Sequence, residues 1–429
     1  MKKVYFIGIG GIGMSALAQM MLDDGAEVTG SDRDASPVTE LLEKKGIKVA
    51  IPQKAENMPE DAEMAIYSDA VPADNPERAR AQELGIPQLS YFAMLGEVSK
   101  EKRTIAIAGT HGKTTTTGML TKIVKDAGAS PTAIIGSIVK DFGSNYLSGS
   151  SDIFIVEACE YRDHLLELSP QILVITNLEW DHTDYFPSLA ALQETFKKAI
   201  ERVPADGAII TDLSNQNIAP LLAGAKASIF DYKKEPVYKL AMPSSFNEDN
   251  ARAAAAAARV ILPAISDTII SESLATFQGT WRRFEYKGKT AKGAVVYDDY
   301  AHHPTAIRET LYALRGKTKG KIFVAFHPHL YSRTRDLLND FSSAFIGADK
   351  VFIAPIYAAR EVDDGSISSE ILAERIRKTG IYAIAIDSFD AIEHAIDEAE
   401  QGDIIMTMGA GDIYKVADAL VAQNKKPTP

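Results

Sequence analysis

Short apolar runs alternate with stretches of helical period along most of this chain. Val4 to Ile7, Glu27 to Gly30 and Met64 to Tyr67 read as strands. Between the first two, Met14, Leu17, Ala18, Met21 and Leu22 recur at helical spacing, and a further helix is expected from Tyr91 to Val98. The scheme then repeats. Thr104 to Ala108 is a strand, and Met119, Leu120, Ile123, Val124 and Ala127 stripe the helix after it. Ile153 to Val156 and Ile172 to Ile175 are continuous apolar runs, as in strands covered on both faces. The polar start Pro243 to Asn250 followed by the alanine run to Arg259 predicts a capped, closely packed helix. Strands beginning near Val295, Ile322, Val351 and Ile404 each end in polar or glycine residues, with helical patterns between them. This alternation predicts an α/β protein with parallel sheets. The polar run Ser99 to Arg103 reads as a linker, and a second break falls near Gly279. Three domains are expected, at 1–99, 100–279 and 280–429, with a frayed tail from Gln423 to Pro429.

Composition narrows the possibilities. A chain of 429 residues is too long for one ordinary core, and a hydrophobic content of 46% supports cores throughout. The formal charge of -12 argues against nonspecific nucleic-acid binding, which needs a basic face. The single cysteine, Cys159, excludes an intrachain disulfide and reads as a small apolar filler rather than a reactive thiol. No apolar run is long enough for membrane insertion, and the N-terminus enters a strand directly without the features of a signal peptide. A cytoplasmic location is expected.

Two glycine turns carry the candidate chemistry. The stretch Gly109-Thr110-His111-Gly112-Lys113-Thr114-Thr115 sits between a buried strand and a helix. Its glycines let backbone N–H groups approach a phosphate, and the helix N-terminus adds the positive end of its dipole. Lys113 supplies a full charge and Thr114 a hydroxyl for Mg²⁺, which is the logic of a P-loop ATPase-like domain. The early glycine of the full pattern is Ile107. The other turn is Gly8, Gly10, Gly11 and Gly13 after the first strand, followed by Met14 and Ser15, the arrangement of a Rossmann-like nucleotide site. Ser31 and Asp32 end the next strand, where an acid suits a ribose hydroxyl. Glu157 and His182 follow two further strands and, with Thr114, offer oxygen and nitrogen ligands to a divalent metal. Asn247 and Asn250 share a helix face, where they either cap the helix or read an adenine edge. Arg282 and Arg283 lie at the second break, as a solvated basic pair or as a phosphate contact. His302 and His303 are adjacent and diverge, which favours substrate contact over zinc.

The sequence resembles the Mur ligases, the ATP-dependent amide-forming enzymes of peptidoglycan precursor synthesis. The resemblance covers nearly the whole chain. It is carried by Gly8-Ile-Gly-Gly-Ile-Gly-Met-Ser15, Gly109 to Thr117, Asp298-Asp-Tyr-Ala-His-His-Pro-Thr305, His327-Pro-His-Leu-Tyr-Ser-Arg-Thr-Arg335 and Gly409-Ala-Gly-Asp412. That family loop tolerates the missing early glycine.

The resemblance implies a first domain holding a UDP-sugar, a second holding ATP and Mg²⁺, and a Rossmann-like third presenting the amino acid. It implies that L-alanine is joined to the carboxylate of UDP-N-acetylmuramate through an acyl phosphate. By the same analogy Lys113 meets the terminal phosphates, Thr114, Glu157 and His182 serve the metal, and Asn247 and Asn250 face adenine. Arg283 meets phosphate, Asp299 holds ribose, and His302, His329 and Arg333 lie near the amino acid or its carboxylate. Lys113, His182 and Arg283 are then the residues closest to the chemistry, in a monomer or homodimer. Phe246, Cys159 and Leu330 depart from the usual family residues. The nearest alternative is a ligase that recycles a preformed tripeptide onto the same nucleotide sugar. A nicotinamide-dependent oxidoreductase leaves the ATP loop unexplained, and the presence of Lys113, Glu157 and His182 argues against an ATP-binding protein without ligase chemistry.

Overall fold

The computed structural model describes residues 2–241 and 245–422. Pro243, where the helix-capping segment was expected to begin, and the tail from Gln423 lie outside the described residues. Three sheets account for the strands. The first runs β3-β2-β1-β4-β5, all parallel, from β1 (Lys3–Ile7), β2 (Glu27–Ser31), β3 (Lys48–Ala50), β4 (Met64–Tyr67) and β5 (Gln88–Ser90). Strand order reverses beside β1, so the glycine turn after it opens at the sheet's switch point, where such sheets bind ligands.

The second sheet runs β12-β11-β10-β6-β9-β7-β8. Its strands are β6 (Arg103–Ala108), β7 (Thr132–Val139), β8 (Ser144–Leu147), β9 (Ile153–Glu157), β10 (Ile172–Ile175), β11 (Ala208–Thr211) and β12 (Ser228–Asp231). Only the β7–β8 hairpin is antiparallel. In register, Ile107 pairs with Glu157 and Ala108 with Ile175, which brings the C-terminal ends of β6, β9 and β10 to one place. The expected linker is shorter than the polar run implied. The helix Tyr91–Lys100 continues into it and β6 begins at Arg103. Ser99 is buried because its hydroxyl donates to Gly96 O and accepts from Ser169 N–H.

The helix Ile12–Asp23 is buried on every side from Met14 to Met21. It packs against β2 of its own sheet and against the β7–β8 hairpin of the next. Asn145 of that hairpin donates to Ile12 O and to Ser15 Oγ. A helix enclosed in this way loses the polar stripe of a surface helix, which accounts for its sequence of Met, Ala and Leu.

The third sheet runs β13-β14-β18-β15-β16-β17, from β13 (Glu285–Lys289), β14 (Val295–Asp299), β15 (Ile322–Phe326), β16 (Lys350–Ile353), β17 (Tyr382–Ala385) and β18 (Ile404–Met408). Only β13 is antiparallel. Along β15, Val324 and Phe326 enter one core layer with Val351 and Met406, while Phe323 and Ala325 enter the other with Phe352 and Ile405. Both faces are covered, as the unbroken apolar run required. By contacts the chain forms two units. One is Met1–Leu178, Gln193–Lys239 and Asp249–Gln278, with the first two sheets. The other is Glu179–Leu192, Leu240–Glu248 and Gly279–Pro429, with the third. The unit of the third sheet therefore includes two segments from the stretch expected to be central.

Candidate active site

The turn after β6 is shaped by close approach. Gly109 has φ 129° and Gly112 φ 82°, backbone that side chains rarely adopt. A Cβ at Gly109 would strike Thr176 Oγ1, and one at Gly112 would strike Asn250 Oδ1. The loop is held from β10. His111 N–H donates to Asn177 Oδ1 at 2.8 Å, Thr110 N–H to Asn177 O at 3.2 Å, and Thr176 Oγ1 to His111 O at 2.6 Å. Asn250, on the helix Ser245–Ile261, accepts from Thr116 Oγ1 at 3.3 Å, and Asn247 on the same helix is buried. Thr115 is buried within the helix Lys113–Asp126, whose N-terminus faces the turn. Lys113 Nζ donates to Gly109 O and to both oxygens of Glu160, at 2.9 and 3.0 Å. Burial alone pulls the lysine pKa down, but Glu160, with Cys159 and Glu157, outweighs it and raises the value.

Thr114 and Glu157 are brought together: Thr114 Oγ1 donates to Glu157 Oε1 at 3.1 Å. Glu157 Oε2 accepts from Gly136 N–H of β7 at 2.9 Å, and a Cβ at Gly136 would collide with that carboxylate. A hydroxyl and a carboxylate beside a glycine-lined turn form a hard-oxygen donor set that fits Mg²⁺. Glu157 also walls a cavity of about 260 Å³, together with Gly11, Gly13, Asp69, Tyr91 and Phe92. Cys159 borders it as well, but burial pushes its thiol up to about 12, in keeping with an unreactive side chain.

The first glycine turn contributes Gly11, Gly13 and Met14 to this cavity. Gly8 has φ 82°, and a Cβ at Gly13 would collide with the Tyr91 ring. Asp32 Oδ2 accepts from Gly10 N–H at 2.7 Å, so this acid holds the turn. Two residues expected at the sugar nucleotide lie behind the turn. Ser15 and Ser31 are fully buried, with Ser15 Oγ donating to Ile12 O at 2.9 Å and Ser31 Oγ donating to Glu77. They brace the turn from behind instead of facing the cavity.

The second unit gathers its own cluster. Arg333, 2% exposed, donates through Nε to Asp181 Oδ1 at 2.8 Å and through Nη1 to His329 Nδ1 at 3.0 Å. His329 therefore accepts at Nδ1 and carries its proton on Nε2. Burial would raise the Asp181 carboxyl, but Arg333 and nearby histidines hold it well below the usual range. Burial, reinforced by Arg333, takes His329 down to about 3 and also lowers His302 far below its usual value. His302 Nδ1 lies 2.9 Å from Tyr300 O, and its ring centre is 6.1 Å from that of His329. His182 belongs to this unit, at φ 52°, with its N–H donating to Asp181 Oδ1 at 2.6 Å. His303 contacts Trp180 O at 3.2 Å, and Thr305 Oγ1 donates to Glu179 at 2.6 Å.

The two adjacent arginines separate in role. Arg282 is buried at φ 58°, and its guanidinium is consumed by Asp298, Gly409 O and Gly411 O at 2.6–2.8 Å. Arg283 is half-buried, with its guanidinium 4.8 Å from the Tyr300 ring centre. Asp299 is buried and accepts from Ala301 N–H and Thr310 Oγ1, both at 3.0 Å, and burial raises its carboxyl to about 6 against the pull of Arg283. Sequence reasoning gave no role to Glu160, Asn177, Gly136 or Asp181. Glu160, in the acidic segment after β9, and Asp181, in the acidic segment after β10, carried a visible signal as acids at strand ends.

Residues 3–103 match the model of the Mur ligase family, catalytic domain, residues 107–249 the Mur ligase middle domain, and residues 282–411 the Mur ligase, glutamate ligase domain. A UDP-N-acetylmuramate--L-alanine ligase of Acetivibrio thermocellus is 40% identical, over 97% of this chain and 95% of that protein. One from Caldanaerobacter subterraneus subsp. tengcongensis is 38% identical, over 99% and 98%. The crystal structure of a UDP-N-acetylmuramate-alanine ligase from Thermotoga maritima superposes with TM-score 0.81 at 28% identity over 99% of each chain. A murein peptide ligase from Psychrobacter arcticus shares the fold, with TM-score 0.76 at 23% identity over the full length of both.

Proposed function

The chain belongs to the Mur ligase family, and from that premise we propose that it joins L-alanine to the carboxylate of UDP-N-acetylmuramate at the expense of ATP. The observation that carries the reading is the placement of Glu157. It pairs with Thr114 at the phosphate turn and also walls the cavity beside the first glycine turn. A sugar nucleotide lying along Gly11 to Met14 thus brings its carboxylate to the edge of the triphosphate site.

A carboxylate is a poor acyl donor, so its oxygen attacks the γ-phosphorus of ATP and ADP leaves. The amine of L-alanine then attacks the carbonyl of the acyl phosphate, and inorganic phosphate leaves. The protein's part is alignment and charge. The turn from Gly109 to Thr115 and Lys113 cradle the phosphates, and Asn250 lines the turn from the side, near where adenine is expected. Thr114 and Glu157 would hold Mg²⁺, which supplies charge neutralisation on the phosphoryl oxygens. His182 as a further metal ligand, Asn247 as an adenine contact, Arg283 as a phosphate contact and Asp299 as a ribose contact extend the reading. In the second unit the buried guanidinium of Arg333 suits the alanine carboxylate, with His302 and His329 beside it. His329, at about 3, is too weak a base to take the amine's proton at neutral pH, so it serves to orient Arg333. Among the described residues no helix is long and apolar enough to cross a membrane. A cytoplasmic monomer or homodimer agrees with a reaction on nucleotide substrates.

The test is phosphate release from ATP with UDP-N-acetylmuramate and either L-alanine or the tripeptide, with product masses. Release with alanine and a mass gain of one alanine residue is expected. Release with the tripeptide alone moves the protein to the recycling reaction, and silence with both overturns the substrate assignment.

A further inference from the structure

The lysine of the phosphate turn already has a partner. Lys113 Nζ has three N–H groups, and four oxygens surround it: Gly109 O, Thr110 O at 3.4 Å, and the two carboxylate oxygens of Glu160 at 2.9 and 3.0 Å. Glu160 is only 1% exposed. A P-loop needs its lysine for the β- and γ-phosphates, and nothing in that chemistry calls for a buried acid on the same ammonium. A polyphosphate entering the turn meets a lysine whose charge is cancelled, and a fixed negative charge beside its own. Buried charges at this separation interact strongly, so the effect on nucleotide affinity is large.

We propose that Glu160 is a positioning residue, the resident counter-ion of Lys113. It holds the ammonium along the turn and competes with the nucleotide for it, weakening nucleotide binding while keeping the lysine in register for phosphoryl transfer. The inference rests on the assignment of the turn to ATP. Its consequence is a split. Glu160→Gln keeps the shape and one acceptor but removes the charge. ATP and ADP should then bind about tenfold more tightly, and kcat should fall about tenfold because ADP leaves slowly and the lysine is less well fixed. A residue that only supports the fold would weaken binding and turnover together.

The experiment measures ATP and ADP dissociation constants by calorimetry and steady-state ligation on the full chain. It compares the parent protein with Glu160→Gln, Glu160→Asp and Lys113→Ala, each checked by thermal melting. Tighter nucleotide binding with lower kcat in Glu160→Gln supports the proposal, and Glu160→Asp should fall between it and the parent. Should Glu160→Gln fail to fold, the aspartate variant carries the test. Unchanged or weaker nucleotide binding in the folded variants overturns the proposal while leaving the ATP assignment intact. Failure of the parent protein to bind ATP, or equal binding by Lys113→Ala, overturns the assignment and the inference with it.

Discussion

The two glycine turns of the first unit share a plan and differ in charge. Each follows a central parallel strand and opens a helix. Each also has a resident acid: Asp32 on the amide of Gly10 in the first, Glu160 on the ammonium of Lys113 in the second. In the first turn the acid takes up a backbone donor that a phosphate would want, and Tyr91 packs over Gly13 as an aromatic wall. In the second the acid sits on a side-chain ammonium, the amides are braced by Asn177, and Thr114 Oγ1 donates to Glu157 Oε1 at 3.1 Å. On the proposed assignment, the same strand–turn–helix serves a sugar nucleotide in one place and a triphosphate in the other. The side chains around the glycines decide which.

The comparison breaks most severely at Lys113. Lys113→Ala should lower ATP-dependent phosphate release on the order of a thousandfold or more, because it removes the cradle's cation, and should also lower the melting temperature, because the buried Glu160 loses its counter-ion. Asp32→Ala, at the other turn, should raise KM for the sugar nucleotide by about ten- to a hundredfold through loss of a charged hydrogen bond, while calorimetry finds ATP binding intact. Gly136→Ala probes the point where the turns meet. Its Cβ pushes Glu157 aside, so the Mg²⁺ concentration for half-maximal rate should rise by about tenfold.

Acid should act on the second unit. His327, at about 4, and His329, at about 3, lie below the usual 6.5 of the unfolded chain. The unfolded state therefore binds more protons below pH 6.5, and the stability these groups contribute, full above that pH, is lost as pH falls toward 4. Asp299, raised to about 6, and Asp298, also raised by burial, work in the opposite direction, but they are two groups against the three histidines His302, His327 and His329. A falling melting temperature between pH 6.5 and 4 is expected, with the slope reduced in His329→Gln. The smallest effect is at Cys159. Its thiol, at about 12, should ignore maleimides at pH 7, and Cys159→Ser should change the ligation rate by less than about twofold.

Much of this was legible in the residues, for physical reasons. Continuous apolar runs such as Ile153 to Val156 can only be central strands, and they are. Lys113 after two glycines singled out the turn proposed for phosphate, because backbone, cation and helix end must coincide there. Short edge strands such as β3, β5 and β17, and the half-polar β13, left no such trace, because an edge needs neither length nor two apolar faces. Partners across sequence were likewise invisible: Asp181 to Arg333 spans 152 positions and Lys113 to Glu160 spans 47. For Ser15 and Ser31 the sequence was silent on direction, because a serine beside a glycine turn looks the same whether it faces ligand or core. Only the packing of Asn145 and Glu77 tells the two apart.

The helix Ile12–Asp23 has a practical consequence for anyone who would divide this chain into pieces. Eight consecutive residues, from Met14 to Met21, are enclosed, partly by a hairpin that comes more than a hundred positions later. Cutting the polypeptide near residue 100 would strip that hairpin away and bare methionines and a leucine to water. The resulting fragment should clump and lose the shape of its glycine turn, even though its own five strands are intact. The smallest severable piece that keeps this turn is therefore set by the hairpin's end at Leu147 and by the sheet that carries it.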